Sequence, residues 1–122
     1  MVRILICGAS AEETLRLCRR SEAHFAAGGI PAEIVSAFPE ERFRAEFAAG
    51  GYTGAVIGLE NARGFLCARW ASAADENCRV ALICDTDRYA IPGHHIHLTD
   101  FLIRPCGEQR FGSMLDRLAG AP

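Results

Sequence analysis

Val2-Arg3-Ile4-Leu5-Ile6-Cys7-Gly8-Ala9-Ser10 joins an unbroken aliphatic run to a glycine and then to a helix cap. Apart from Arg3 the run has no polar residue, and Ile4 to Cys7 without alternation is what a central parallel strand, covered on both faces, requires. Gly8 ends the run. Ser10 followed by Glu13 is a capping-box pattern, and Leu15, Cys18, Glu22 and Phe25 then recur at helical spacing up to Gly28-Gly29. A strand, a tight turn and a helix of this length form the first half of a βαβ unit.

The same alternation continues along the chain. Pro31 opens a second strand through Ile34 and Val35, and Pro39 with Phe43 and Phe47 marks a helix that stops at Gly50-Gly51. Tyr52 to Gly58 reads as a third strand, and a helix around Gly64 to Ala74 is predicted to carry Leu66, Trp70 and Ala73 on one side. Arg79 to Cys84 is the fourth strand, Asp85 to Leu98 a loop with a short interrupted helix, and Asp100 to Ile103 the fifth strand. Glu108 to Leu118, with Phe111, Leu115 and Leu118 in register, closes the chain before Gly120. Five such units predict an α/β fold: a five-stranded parallel sheet of order 2-1-3-4-5, doubly wound by right-handed crossovers. The functional crevice of that arrangement lies beyond the carboxyl ends of strands 1 and 3. Gly8, Ala9 and Ser10, Gly58 to Asn61, and Cys84 to Asp87 fall there.

Composition narrows the chemistry. The 122 residues are 50% hydrophobic and 23% charged, which fits one domain over residues 1–122. Thirteen basic and fifteen acidic residues leave a net charge of −2 and a sequence pI of about 6.1, without the positive field of a dedicated nucleic-acid binder. All thirteen basic residues are Arg, so Schiff-base and P-loop lysine mechanisms are excluded. The apolar runs are strand-length, so neither a membrane span nor a signal-peptide core is expected, and a cytoplasmic protein is. Six cysteines lack any C-x-x-C spacing and read as buried, reduced thiols. His94, His95 and His97 form the one metal-like cluster, but without a carboxylate or Cys partner they read as solvated residues, and neither metal nor other cofactor is expected.

At these positions the chain resembles a response-regulator receiver domain, of the kind found in front of LytTR-type DNA-binding domains. The likeness is carried by Val-Arg-Ile-Leu-Ile-Cys at 2 to 7, Tyr-Thr-Gly-Ala-Val-Ile-Gly-Leu-Glu at 52 to 60, Asp-Arg-Tyr-Ala-Ile at 87 to 91 and Asp-Phe-Leu-Ile-Arg-Pro at 100 to 105. An active receiver has acidic residues after strand 1 for Mg²⁺, a phosphoacceptor Asp ending strand 3, a Thr or Ser ending strand 4 and a Lys before Pro on strand 5. This chain has Gly8 and Ala9, Gly58, Cys84 and Arg104 at the corresponding positions. The resemblance therefore implies a pseudo-receiver that has lost its nucleophile and its metal carboxylates and is not an enzyme. Glu60 does not rescue the chemistry, because it lies two residues past the strand end and leaves the acidic pair missing.

The resemblance further implies work through protein–protein contact, with a homodimer or an output domain as partner. Tyr89, His94, His97, Arg110 and Arg117 are its candidate interface residues, Phe101 and Pro105 occupy switch-like positions, and the Arg104–Pro105 bond is expected to be cis. A LytTR-type architecture would place a DNA-binding domain after Pro122, and any direct nucleic-acid contact there. Two readings of Arg104 stand open at this point. It either completes an anion or small-molecule sensor in space left by Gly8, Ala9 and Gly58, or fills that space and pairs with a local carbonyl or with Asp85. Cys7 and Cys84, on strands separated by strand 3, are too far apart to bridge and have no positioned His.

Overall fold

The computed structural model describes residues 1–120; Ala121 and Pro122, the end of the expected domain, lie outside the described residues. Five parallel strands, β1 (Val2–Cys7), β2 (Ala32–Ser36), β3 (Gly54–Ile57), β4 (Arg79–Cys84) and β5 (Asp100–Ile103), form one sheet in the order β2-β1-β3-β4-β5. The helices are α1 (Ala11–Ala27), α2 (Glu40–Ala49), α3 (Asn61–Ala74), a 3₁₀ turn over Asp87–Tyr89 running into α4 (Ala90–His95), and α5 (Glu108–Leu118).

Strand alternation distributes the core. Leu5, Cys7, Ala55, Ile57, Val80, Leu82 and Cys84 face Phe43 and Phe47 of α2 and Cys67, Ala68 and Ala71 of α3. Ile4, Ile6, Val56, Ala81, Ile83 and Leu102 face Leu17, Cys18 and Phe25 of α1 and Phe111, Met114, Leu115 and Leu118 of α5. Consecutive residues supply opposite layers, which is why the central strands are apolar apart from Arg3 and Arg79 near their amino ends. Each large aliphatic side chain so buried contributes about 1.5–3 kcal/mol.

Two helix faces differ from the periodicity reading. On α1 the buried residues are Thr14, Leu17, Cys18, Ser21 and Phe25, whereas Leu15 is half exposed. Thr14 and Ser21 are admitted because their hydroxyls donate to Ser10 O and Leu17 O. On α3 the sheet side is Gly64, Cys67, Ala68 and Ala71, while Leu66 and Ala73 face outward. Small residues win there because the helix lies close: a Cβ on Gly64 would collide with the Leu59 carbonyl.

The third strand begins at Gly54, two residues later than expected, and α3 begins at Asn61, earlier than expected. His97 has φ 61° and lies beyond the end of α4, so it does not share a helix face with His94. The Arg104–Pro105 peptide bond is cis, as is Phe38–Pro39. No described helix is long and apolar enough to cross a membrane.

Candidate functional site

Sheet register brings the expected crevice residues together. Cys7 pairs with Ile57 and Cys84 with Ile103, so Gly8, Gly58, Asp85 and Arg104 are the first residues beyond four neighbouring strand ends. Two bonds extend the ladder past those ends, Gly58 N–H to Cys7 O at 2.7 Å and Arg104 N–H to Cys84 O at 2.8 Å.

The residue that organises this crevice is Glu13, which sequence spacing assigns only to a cap. Ser10 does cap α1, accepting the Glu13 N–H at 3.0 Å. The Glu13 carboxylate, however, turns inward: Oε1 accepts the Ala9 N–H at 2.7 Å and Arg104 Nη2 at 2.8 Å, and Oε2 accepts Arg104 Nε at 2.8 Å. This is a two-point carboxylate–guanidinium pair, geometrically the most favourable kind. Arg104 Nη2 also donates to Gly58 O at 2.6 Å, and Nη1 reaches Asp85 Oδ1 at 3.4 Å. The side chains of Arg104 and Glu13 are only 20% and 16% exposed.

The glycines follow from this arrangement. A Cβ on Gly8 would sit 2.9 Å from Glu13 Oε1, and one on Gly58 would sit 3.0 Å from Arg104 Nη2 and 3.2 Å from Glu13 Oε1. The space that Gly8 and Gly58 leave is therefore filled by the ion pair. Backbone donors are also committed: Gly8 N–H goes to Thr14 Oγ1 at 2.9 Å, Ala9 N–H to Glu13, and Gly58 N–H to Cys7 O.

Electrostatics agree with the geometry. Burial disfavours the charged form of Glu13, but the hydrogen bonds from Arg104 and from Ala9 N–H outweigh it and hold the carboxyl below the ordinary range. The bond to Glu13 raises Arg104 further, against desolvation. Cys84 is raised by burial although Arg104 opposes it, and burial pushes the Cys7 thiol up to about 12. Both thiols are buried and protonated at neutral pH, the reverse of what a nucleophilic cysteine needs.

The crevice does not suit Mg²⁺, the ion used by active receivers. Gly8, Ala9 and Gly58 offer carbonyls in place of carboxylates, the Gly58 carbonyl accepts from the Arg104 guanidinium, and the two carboxylates nearby, Glu13 and Asp85, are turned to that same cation. Among the described residues no group of three or more His, Cys, Asp and Glu is placed to hold a metal. Glu60 is exposed at the N-cap of α3 and makes no hydrogen bond to either member of the pair. A cleft of about 370 Å³ beside it, floored by Phe38, Pro39 and Leu59, has its acidic wall, Glu40, bridged by Arg44 at 2.8 Å and Arg63 at 3.1 Å.

The remaining candidates lie elsewhere. Phe101 is half-buried against the α2/α3 layer, and Pro105 is exposed in the loop after β5. Tyr89 stacks on Phe65 of α3, centroids 5.3 Å apart, while His94 and His97 are exposed. Arg110 is engaged in the fold: its Nη1 and Nη2 donate to Asp100 Oδ2 and Oδ1 at 2.7 and 2.6 Å, and Arg117 approaches the same carboxylate at 3.6 Å. Asp100 is buried, and the Arg110 hydrogen bonds outweigh that burial to keep its carboxyl below the ordinary range.

Comparisons with known proteins place the architecture. No protein-family profile and no curated protein matches the sequence. Among solved structures the chain is similar to the response regulatory domain of protein mrkE from Klebsiella pneumoniae, with 17% identity, TM-score 0.79, and 98% of this chain and 96% of that one covered. It is likewise similar to response regulator protein TrrA from Thermotoga maritima, crystallised with Mg²⁺ and BeF, at 15% identity, TM-score 0.78, and coverage of 97% and 99%. The non-phosphorylated HemR receiver domain from Leptospira biflexa aligns at 15% identity, TM-score 0.78, over 100% of this chain and 97% of that one. The chain thus has the CheY-like receiver fold, a doubly wound five-stranded α/β sandwich.

Proposed function

We propose that this chain, as a single receiver-like domain over residues 1–122, is a non-phosphorylatable signalling module. It acts through protein–protein contact in bacterial signal transduction or transcription control, as a homodimer or against an output domain. The reading is that of a pseudo-receiver of the LytTR branch in a cytoplasmic setting, with no catalysis and with any DNA contact left to a further domain. One observation carries it: the Glu13–Arg104 pair lies directly over Gly58, where a receiver would hold its phosphoacceptor, and fills the space that metal and phosphoryl group need. Phosphoryl transfer rests on positioned charges around a nucleophile, and here Gly58 supplies no nucleophile while the crevice carboxylates, Glu13 and Asp85, face the Arg104 guanidinium.

An anion or small-molecule sensor around Arg104 draws less support. Its guanidinium already meets Glu13, Asp85 and the Gly58 carbonyl, so an incoming anion would have to displace a carboxylate held at two points.

Incubation with acetyl phosphate and Mg²⁺ is expected to leave the intact mass unchanged, and beryllofluoride with Mg²⁺ to leave the amide spectrum unchanged. Stoichiometric acid-labile phosphate on any residue would overturn the reading. Saturable stabilisation by an anion that vanishes in Arg104→Ala would transfer support to the sensor.

A further inference from the structure

Arg104 links side chains and backbone from four chain segments that are neighbours at the carboxyl edge of the sheet. Through Glu13 it holds the start of α1, and through the carboxylate's bond to Ala9 N–H, the turn after β1. Through the Gly58 carbonyl the guanidinium holds the end of β3, and through Nη1 to Asp85 Oδ1 at 3.4 Å it reaches the exit from β4, where the Arg104 backbone N–H separately meets Cys84 O. That exit feeds directly into Thr86, whose hydroxyl caps the 3₁₀ turn by accepting the Arg88 N–H at 3.3 Å, and so into α4.

The α4 segment has little else to fix it. It is six residues long, contains Pro92 and Gly93, and has no side-chain cap of its own. Its anchors are the Tyr89–Phe65 stack and the packing of Ile96 and Leu98. An element this short, broken by Pro and Gly, belongs to the low-stability end of a fold, where one polar tether at its entrance has leverage.

We propose that the Glu13–Arg104 pair is a built-in clasp that holds the β4–α4 connection in a single arrangement, so that the surface built on α4 is set by the protein's own sequence without an input. Glu13 and Arg104 are positioning residues in this scheme. The clasp supplies internally what a bound anion and cation supply when a crevice is loaded: opposite charges that bring separate loops to one point. Because both partners are covalently part of the chain and lie four-fifths buried, the holding is permanent under neutral conditions. The inference rests on the non-phosphorylatable reading above and specifies how its surface is maintained.

Hydrogen exchange on the full chain, read peptide by peptide, tests the clasp. Glu13→Gln keeps an acceptor for Ala9 N–H but removes the charge, and Arg104→Gln removes the fork. In each variant, amides from Asp85 to Ile91 should exchange on the order of tenfold faster, while those of β2 and α2 change by less than about twofold. The double variant should match the single ones, since the two groups act as one unit. Uniform acceleration across the chain would make the pair a general stability element, and an unchanged Asp85–Ile91 segment would show that it holds nothing there. Either result overturns the clasp. Phosphodonor treatment of the unmodified protein is a separate arm: phosphate uptake would sink the non-phosphorylatable reading, whereas unchanged exchange without uptake removes the clasp alone.

Discussion

Deleting the Arg104 guanidinium strands Glu13 in a crevice where its other contact is a single backbone N–H. Breaking one side of a buried pair costs about 3–5 kcal/mol in full burial, and the partial exposure here scales Arg104→Ala to about 2–3 kcal/mol. Glu13→Gln, which retains hydrogen bonding, should cost less, and urea midpoints at neutral pH measure both. The pH dependence has a definite sign. Glu13 and Asp100 both titrate below their ordinary values in the folded chain, so the unfolded chain binds protons first as pH falls. Their stabilisation is complete above about pH 5 and is lost as acidity passes through the ordinary carboxylate range of about 3.9–4.3 and down to the folded values. Stability of the unmodified protein should drop across that window, and Glu13→Gln should show a shallower slope. Equal slopes would mean that the carboxylate is not held as described. Glu13 also marks the limit of legibility in this site. Its spacing from Ser10 announced a cap, and the cap is there, but the direction of a carboxylate at that position depends on which cation waits across the crevice. Arg104 and Glu13 are 91 residues apart, a separation that no local pattern bridges.

Elements were legible in proportion to how far burial dictated their residues. The central strands, covered on both faces, are apolar beyond an arginine near each amino end, so Val2–Cys7 and Arg79–Cys84 are readable to the residue. Helix α3 shows the opposite case. Ala62, Leu66, Cys67, Ala68, Trp70, Ala71 and Ala73 surround it with apolar groups, so periodicity does not choose a face: of the expected set Trp70 packs against Phe47 and the core, while Leu66 and Ala73 face outward. The actual face is small because the helix approaches the end of β3 so closely that Gly64 meets the Leu59 carbonyl. A methyl there presses on backbone that is fixed by the sheet, so Gly64→Ala should destabilise by about 2–3 kcal/mol despite the better helix propensity of alanine. In a chain of this size that lowers the thermal midpoint by roughly 10 °C. A midpoint at or above that of the unmodified protein would refute the close approach of α3. Helix α5 was readable on its buried side through Phe111, Leu115 and Leu118, whereas the role of Arg110 was not. An arginine on the outer part of an amphipathic helix reads as solvated until a buried carboxylate, Asp100, is placed beneath it.

At the scale of the whole molecule, α4 and β5 each carry an exposed aliphatic side chain. Ile91 is 74% exposed and Ile103, on the edge strand, is 44% exposed, with His94 on the same short helix as Ile91. Single exposed aliphatics are ordinary, but Ile103 lies on an unpaired sheet edge, and on the proposed reading this edge and the exposed Ile91 of α4 form a standing contact. A ligand shifts an equilibrium only through differential binding, and on the proposed reading a crevice filled by the Glu13–Arg104 pair gives phosphate no such difference. The contact at this face should therefore be present without phosphodonor and unchanged by it. A specific interface would bury about 1,200–2,000 Å² in total, while less than about 800 Å² would be no more than incidental association. Arg110 is a poor probe of it, because charge reversal there also breaks the Asp100 pair and confounds contact with folding. Ile91→Glu is the better probe: at 74% exposure it leaves the core intact and places a charge where apolar contact is expected. Sedimentation across the micromolar range should show self-association or partner binding weakened at least tenfold by Ile91→Glu, with the thermal midpoint nearly unchanged. If the unmodified chain remains monomeric to high micromolar concentration and its signalling output is indifferent to Ile91→Glu, the face on α4 and β5 is not where this module acts.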